Sequence, residues 1–296
     1  MDTKYRYDIA PVTAVQLGTK VVGDPQASAC QVASLENANA DCLVFCLPGR
    51  LEALADCQAA IVLAPASEQL YAGRLSAQSV VWVDNPMLDF VRILLANGYT
   101  NDLSQGQIMS GGYYLADDAT VGMETQIFPM ATVHSESVIG SRCRIQSGAT
   151  IGAVGLGYAV EGENESYVRF PHLGHVVIGD DVDIGAGTTV VRGILHDTVV
   201  GSGSRIGNNV NIGHNVQIGK DCFVSSGVVL AGSVRLEDKV WIAPNVTLLN
   251  GVTVGVGAKI GAGALLSKDA EPGYLYLGSP ARAVKKECFK SVEGRR

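Results

Sequence analysis

Chemistry in this sequence is concentrated in its histidines and in one glycine that shares their spacing. His196, His214 and Gly232 follow one another at intervals of eighteen residues. An imidazole works as a general base near neutral pH. A glycine amide held beside it offers an N–H to an oxyanion, with no side chain in the way. Together they suit attack by an amine or hydroxyl on an activated carbonyl. His196 has three roles open to it: touching substrate, tuning His214, or lying exposed. Two close imidazoles disfavour double protonation, and Asp197 would oppose that effect. His172 and His175 fall in a stretch that breaks the repeat described next, and are candidates for ligand contact. His134 reads as an ordinary surface residue. The sequence contains no GxSxG, P-loop or CxxC motif.

The spacing of eighteen has a structural meaning. From Val200 through Ile206, Ile212 and Ile218 to Ile260 and Leu266, an aliphatic residue occupies every sixth position. Glycine often follows it, as at Gly207, Gly213 and Gly261, and a small or β-branched residue comes four positions on. Neither a helix nor a simple strand has a period of six. A hexapeptide repeat does, and it predicts a parallel β-helix. Each hexad is a short strand and a turn, and three hexads close one triangular coil. Residues eighteen apart then stack at about the strand spacing of 4.8 Å. His196, His214 and Gly232 are therefore expected in one column outside the prism, near a corner.

The same period runs from Leu115 to Ile151, stops, and resumes at Ile178, Ile184 and Val190. Residues 153–176 form an insertion, and a four-residue interruption falls at Arg192-Gly193. A long insertion in a regular solenoid is usually functional. The β-helix domain is expected over 113–268, ending near Leu266 where Asp269 to Gly273 break it. An extension, 269–296, carries a basic tail.

Residues 1–100 lack the period and read as a small α/β domain, one that the resemblance given below implies to be nucleotide-binding. Strands are expected at 41–47, 59–63 and 79–83, and a short helix between Arg50 and Cys57. Asn85-Pro86 opens a helix with Met87, Phe90, Val91, Leu94 and Leu95 on its apolar face, and Gly98 ends it. Thr100 to Gly112 reads as a flexible linker.

Composition narrows the function classes. The 296 residues are 47% hydrophobic, enough for a substantial core, and the net charge of -7 argues against general nucleic-acid binding. Seven scattered cysteines suggest free thiols in a reducing cytoplasm. The amino terminus lacks the apolar core of a signal peptide, and no run reaches the ~18 apolar residues of a spanning helix. A cytoplasmic protein without stable membrane insertion is expected.

A family becomes visible in the longer runs. Gly152 to Tyr158, Val177 to Ala186, Thr188 to Gly193, Asp197 to Gly201 and Ile212-Gly213-His214-Asn215-Val216 resemble the UDP-3-O-acylglucosamine N-acyltransferases of lipid A synthesis. Weaker similarity reaches Phe45 and Val83 to Pro86. The resemblance implies a homotrimer of left-handed β-helices with active sites between subunits. It implies that His214 is the general base and that the Gly232 amide holds the oxyanion. It implies that Gly155, Leu156, Gly157 and Tyr158 contact substrate, as His196 does in one of its readings, and that Phe45 stacks on a nucleobase. No cofactor is implied beyond a thioester co-substrate, either acyl carrier protein or coenzyme A.

The chain departs from that family at several positions. Pro48 and Leu51 stand where the family has asparagine and tyrosine, Val191 where it has aspartate, and Val252 where some members have histidine. The ending Gly278-Ser279-Pro280-Ala281-Arg282 resembles instead that of acetyl-CoA-dependent hexapeptide acetyltransferases. Arg282 and Lys285 are the donor-binding candidates under either reading. A carbonic-anhydrase-type zinc prism is a third possibility, for which His196 and His214 supply two ligands without a clear third; no metal site is assigned.

Overall fold

The structure, a computed structural model, describes residues 5–71, 77, 79–162 and 166–284. It divides into two compact units, one of Met1–Asn101 with Leu156–Leu173 and one of Asp102–Gly155 with Gly174–Arg296.

The second unit is the expected β-helix. Its short strands form three sheets of nine, nine and seven strands, paired in parallel apart from one terminal strand in each of the larger two. The hexad aliphatics do what their period demands. Val133, Ile151, Val190, Ile212, Leu230, Leu248 and Leu266 pair in register, one per coil, and all are buried. Each such side chain contributes roughly 1.5–3 kcal/mol by leaving water. No coil could bury this row alone, so stability comes from stacking.

Both ends of the β-helix run past their expected limits. Within the stretch read as a linker, Gly106–Ile108 pairs antiparallel with Tyr114–Ala116. A Cβ at Gly106 would collide with the Leu115 backbone, so the close pairing requires glycine there. At the other end, Asp269 to Gly273 do not end the solenoid. Ala270 bridges to Val254, and Leu275–Leu277 pairs in parallel with Lys259–Ile260, laying Tyr276 over Ile260. Arg282–Val284 then returns antiparallel to that strand. Hydrophobic capping by Tyr276 replaces the hexad aliphatic, which is why the period hid this coil.

The first unit is an α/β fold with a six-stranded sheet. Ser28–Val32, Cys42–Phe45, Ile61–Pro65 and Ser79–Val83 run parallel at its centre, and Tyr7–Thr13 and Val21–Gly23 flank them antiparallel. The helix Pro86–Ala96 packs on the central strands. Asn85 caps it, its Oδ1 accepting the Leu88 N–H at 3.1 Å. Leu88, Phe90, Val91 and Leu94 face inward, whereas Leu95, expected among them, is exposed. The helix expected between Arg50 and Cys57 is a single 3-10 turn, Leu51–Leu54.

The insertion, expected as part of the β-helix, gives Leu156–Leu173 to the first unit. It is a β-hairpin, Tyr158–Glu161 against Ser166–Arg169. Phe170, 1% exposed, packs against Phe45 and Phe90 with ring centroids 6.0 Å away in each case. That buried aromatic is the physical reason the hairpin belongs where it does.

Candidate active site

The corner that follows Ile212 carries the site. Strand Asn211–Ile212 pairs with Val229–Leu230, and two residues on, His214 lies against Gly232. A Cβ added at Gly232 would fall 2.5 Å from both Cε1 and Nε2 of the His214 ring, so only glycine leaves room for it. At two other corners the backbone amide two residues past the core aliphatic is taken by a side chain of the next coil. Asn208 N–H donates to Ser226 Oγ, and Lys220 N–H to Asp238 Oδ1. The Gly232 N–H donates to no described residue. The His214 ring therefore sits beside an amide whose donor is not consumed by the fold.

Asn215 determines which imidazole nitrogen can act. Its Oδ1 lies 2.9 Å from His214 Nδ1 and also accepts the Ile194 N–H at 3.2 Å. Its Nδ2 donates to the His196 carbonyl at 2.7 Å, which holds the amide in one orientation. Nδ1 must then be the donor, leaving the lone pair on Nε2, on the Gly232 side. Asn215 is 5% exposed, in the left-handed region at φ 61°, and its own N–H donates to Thr198 Oγ1. The sequence reading quoted Asn215 within a motif but gave it no role. Asparagine's tolerance of positive φ next to a histidine was the available signal.

The four-residue interruption lies at this same corner. Before it, Thr189 pairs with Asn211, twenty-two residues on, and after it Val199 pairs with Gln217, eighteen residues on. His214 thus stands over Arg192 by one sheet's register and over His196 by the next. The column was expected from the eighteen-residue spacing alone, and holds only on the second side. Below it is a polar cluster. Arg192, 3% exposed, donates through Nε to Gly174 O and through Nη2 to Glu136 Oε2, each at 2.9 Å. His175 Nε2 lies 3.5 Å from the same carboxylate oxygen, and its N–H donates to buried Asp197. Glu136 and Arg192 were not anticipated, because their partners come from distant coils.

The other candidates fall in several places. His134 is not an ordinary surface residue. It is half-buried, and burial first, then the Arg192 charge, hold its pKa below the usual histidine value. His172 is buried in the first unit, with Nδ1 3.0 Å from Phe170 O and its ring against Gly157, where a Cβ would meet Cε1 at 2.7 Å. Phe45 is half-buried, its ring 4.8 Å from that of Phe90. Gly155 closes the β-helix side of the insertion, Leu156 is 88% exposed, and Tyr158 lies under the Arg169 guanidinium. Arg282 is exposed on the returning strand and, with Lys268 and Tyr276, lines a cavity of ≈ 340 Å³. Lys285 lies outside the described residues. A larger cavity, ≈ 480 Å³, in the first unit is lined by Arg6, Glu36, Asp56 and Cys57 among others. It holds none of the candidates. Among the described residues no three His, Cys, Asp or Glu side chains group as metal ligands.

Fold and repeat define the class, a hexapeptide-repeat β-helix. The bacterial transferase hexapeptide model (six repeats) matches residues 197–232, the segment bearing His214 and Gly232. UDP-3-O-acylglucosamine N-acyltransferase of Polynucleobacter asymbioticus is 40% identical over 119 residues, 40% of this chain and 32% of that protein. The protein of the same name from Coxiella burnetii is 49% identical over 75 residues, 25% of this chain and 22% of the relative. The matched segments thus span a third or less of these relatives. Among solved structures, UDP-N-acetylglucosamine acyltransferase from Campylobacter jejuni aligns with TM-score 0.52 and 25% identity, covering 59% of this chain and 66% of its own. The enzyme of that name from Francisella novicida aligns with TM-score 0.51 and 27% identity, over 60% and 67%.

Proposed function

We propose that this protein is an N-acyltransferase that moves an acyl group from a pantetheine thioester to the amine of a nucleotide-linked amino sugar. The observation that carries this reading is His214 Nε2 beside a Gly232 N–H that donates to no described residue. As the amine nitrogen attacks the thioester carbonyl, Nε2 takes its proton. The carbonyl oxygen becomes an oxyanion and accepts from the Gly232 amide. The C–S bond then breaks, and the imidazolium returns the proton to the departing thiolate.

The relatives' names support an acylated UDP-glucosamine as acceptor; acyl carrier protein as donor and a place in lipid A synthesis rest on the resemblance of the motif runs. A second reading, an acetyl-CoA-dependent sugar N- or O-acetyltransferase, is favoured by Gly278 to Arg282, which turn the chain back along the last coil. In both, Arg282 and Lys285 meet the anionic donor, Phe45 and Gly155 to Tyr158 serve the acceptor, and His196 borders the acceptor side. A cytoplasmic homotrimer with sites between subunits belongs to the same proposal.

The test is thiol release from acetyl-CoA and from hydroxyacyl carrier protein, each with a panel of nucleotide amino sugars. Turnover with the carrier protein alone supports the first reading, and turnover with acetyl-CoA the second. His214→Ala should lower kcat by about 10²–10⁴. Full activity in that variant would overturn the mechanism.

A further inference from the structure

One cation and two anions line a cavity of the first unit without pairing with one another. The cavity, ≈ 480 Å³, takes Arg6 from just ahead of the strand Tyr7–Thr13 and Glu36 from the 3-10 turn Leu35–Asn37. Asp56 reaches it from the segment that precedes the strand Ile61–Pro65. Neither Phe45 nor any of residues 155–158 belongs to it, so it shares nothing with the residues read as serving the acceptor.

Arg6 is the fixed point. It is half-buried, and its Nε donates to Asn37 O at 3.1 Å. That bond holds the planar fork and leaves its terminal nitrogens to meet a carboxylate. Glu36 and Asp56 are exposed. Among the described residues Arg6 pairs with no carboxylate, and neither Glu36 nor Asp56 with a cation. The Glu36 charge is felt at the cavity wall, where burial first and then Glu36 push the Cys57 thiol up. Charges that could neutralise one another by contact thus stay apart, around a space of the size that takes small ligands. Leu35, Ala38 and Ala53 supply apolar lining for a carbon skeleton.

We propose that this cavity binds a free basic amino acid, its α-carboxylate on Arg6 and its two cationic groups at Glu36 and Asp56. A carboxylate facing a held guanidinium gains charge-assisted, bidentate hydrogen bonds. Two carboxylates against one guanidinium leave the site net negative, so lysine or arginine complements it where a neutral amino acid does so only in part. An acidic amino acid would set its second carboxylate against Glu36 or Asp56, and is rejected by like charge. No residue of the histidine corner takes part, so the site stands or falls independently of acyl transfer.

The experiment is calorimetric titration of the full chain with L-lysine, L-arginine, L-glutamate and cadaverine, the diamine that lacks lysine's carboxylate. Lysine or arginine should bind, with glutamate and cadaverine weaker by about tenfold or more. Arg6→Gln should weaken lysine by about tenfold or more and leave cadaverine no weaker, since cadaverine has no carboxylate to lose. Glu36→Gln and Asp56→Asn, near-isosteric changes at exposed positions, should each weaken lysine and cadaverine alike. They keep the test decisive if Arg6→Gln fails to fold, which thermal unfolding of each variant would reveal. Absence of lysine and arginine binding in the parent protein overturns the proposal. Cadaverine binding as tightly as lysine, or lysine affinity unmoved in both Glu36→Gln and Asp56→Asn, overturns it too.

Discussion

Asn215 links the histidine to the coil beneath it. Its amide oxygen holds His214 Nδ1–H while its nitrogen holds His196 O, so one buried side chain sets both tautomer and corner geometry. Asn215→Ala removes the acceptor and leaves buried groups unpaired, at about 1–3 kcal/mol of stability. Steady-state kinetics should show kcat down at least tenfold with KM little changed, since the ring is then free to present the wrong nitrogen. Asn215→Asp is the sharper probe. A carboxylate next to the imidazole favours its charged form, so the acid limb of kcat/KM should move to higher pH. An unmoved limb would mean that His214 is not the group titrating in catalysis.

At the scale of elements, the hairpin illustrates how an insertion acquires a purpose in packing. Phe170 fills the gap between the sheet and the helix Pro86–Ala96, and Asn101 holds the chain on either side of it, through Phe170 O and the His172 N–H. Phe170→Ala should cost roughly 3–5 kcal/mol. Urea unfolding followed by circular dichroism should show an early transition for the first unit, with the β-helix transition unmoved. A single shifted transition would mean that the two units unfold together.

For the whole molecule, His134 makes stability depend on pH. Burial and Arg192 lower its folded pKa, so between the folded and unfolded values the unfolded chain binds more protons. Stability therefore rises with pH in that window. It is fully present above the ordinary value of about 6.5 and is lost as pH falls through the folded one. Denaturant midpoints of the parent protein should drop between about pH 7 and 5, and His134→Gln should flatten that slope.

The strict period of six, by itself, determined the β-helix and the stacking of His214 beneath Gly232. A repeat makes sequence distance a measure of spatial distance, so residues one coil apart can be paired without coordinates. The glycine at 232 was legible for the same reason. Where the period broke, that measure failed. Only the tertiary structure placed the insertion in the first unit, since Phe170 chose its partners among residues 45 and 90, far away in the chain. The tertiary structure also carried the coil on to Tyr276, where an aromatic ring substitutes for the missing aliphatic. It alone brought Glu136, Arg192 and His175 together at the histidine corner. Their association depends on charge and hydrogen bonding across coils of unequal length, which no spacing rule encodes.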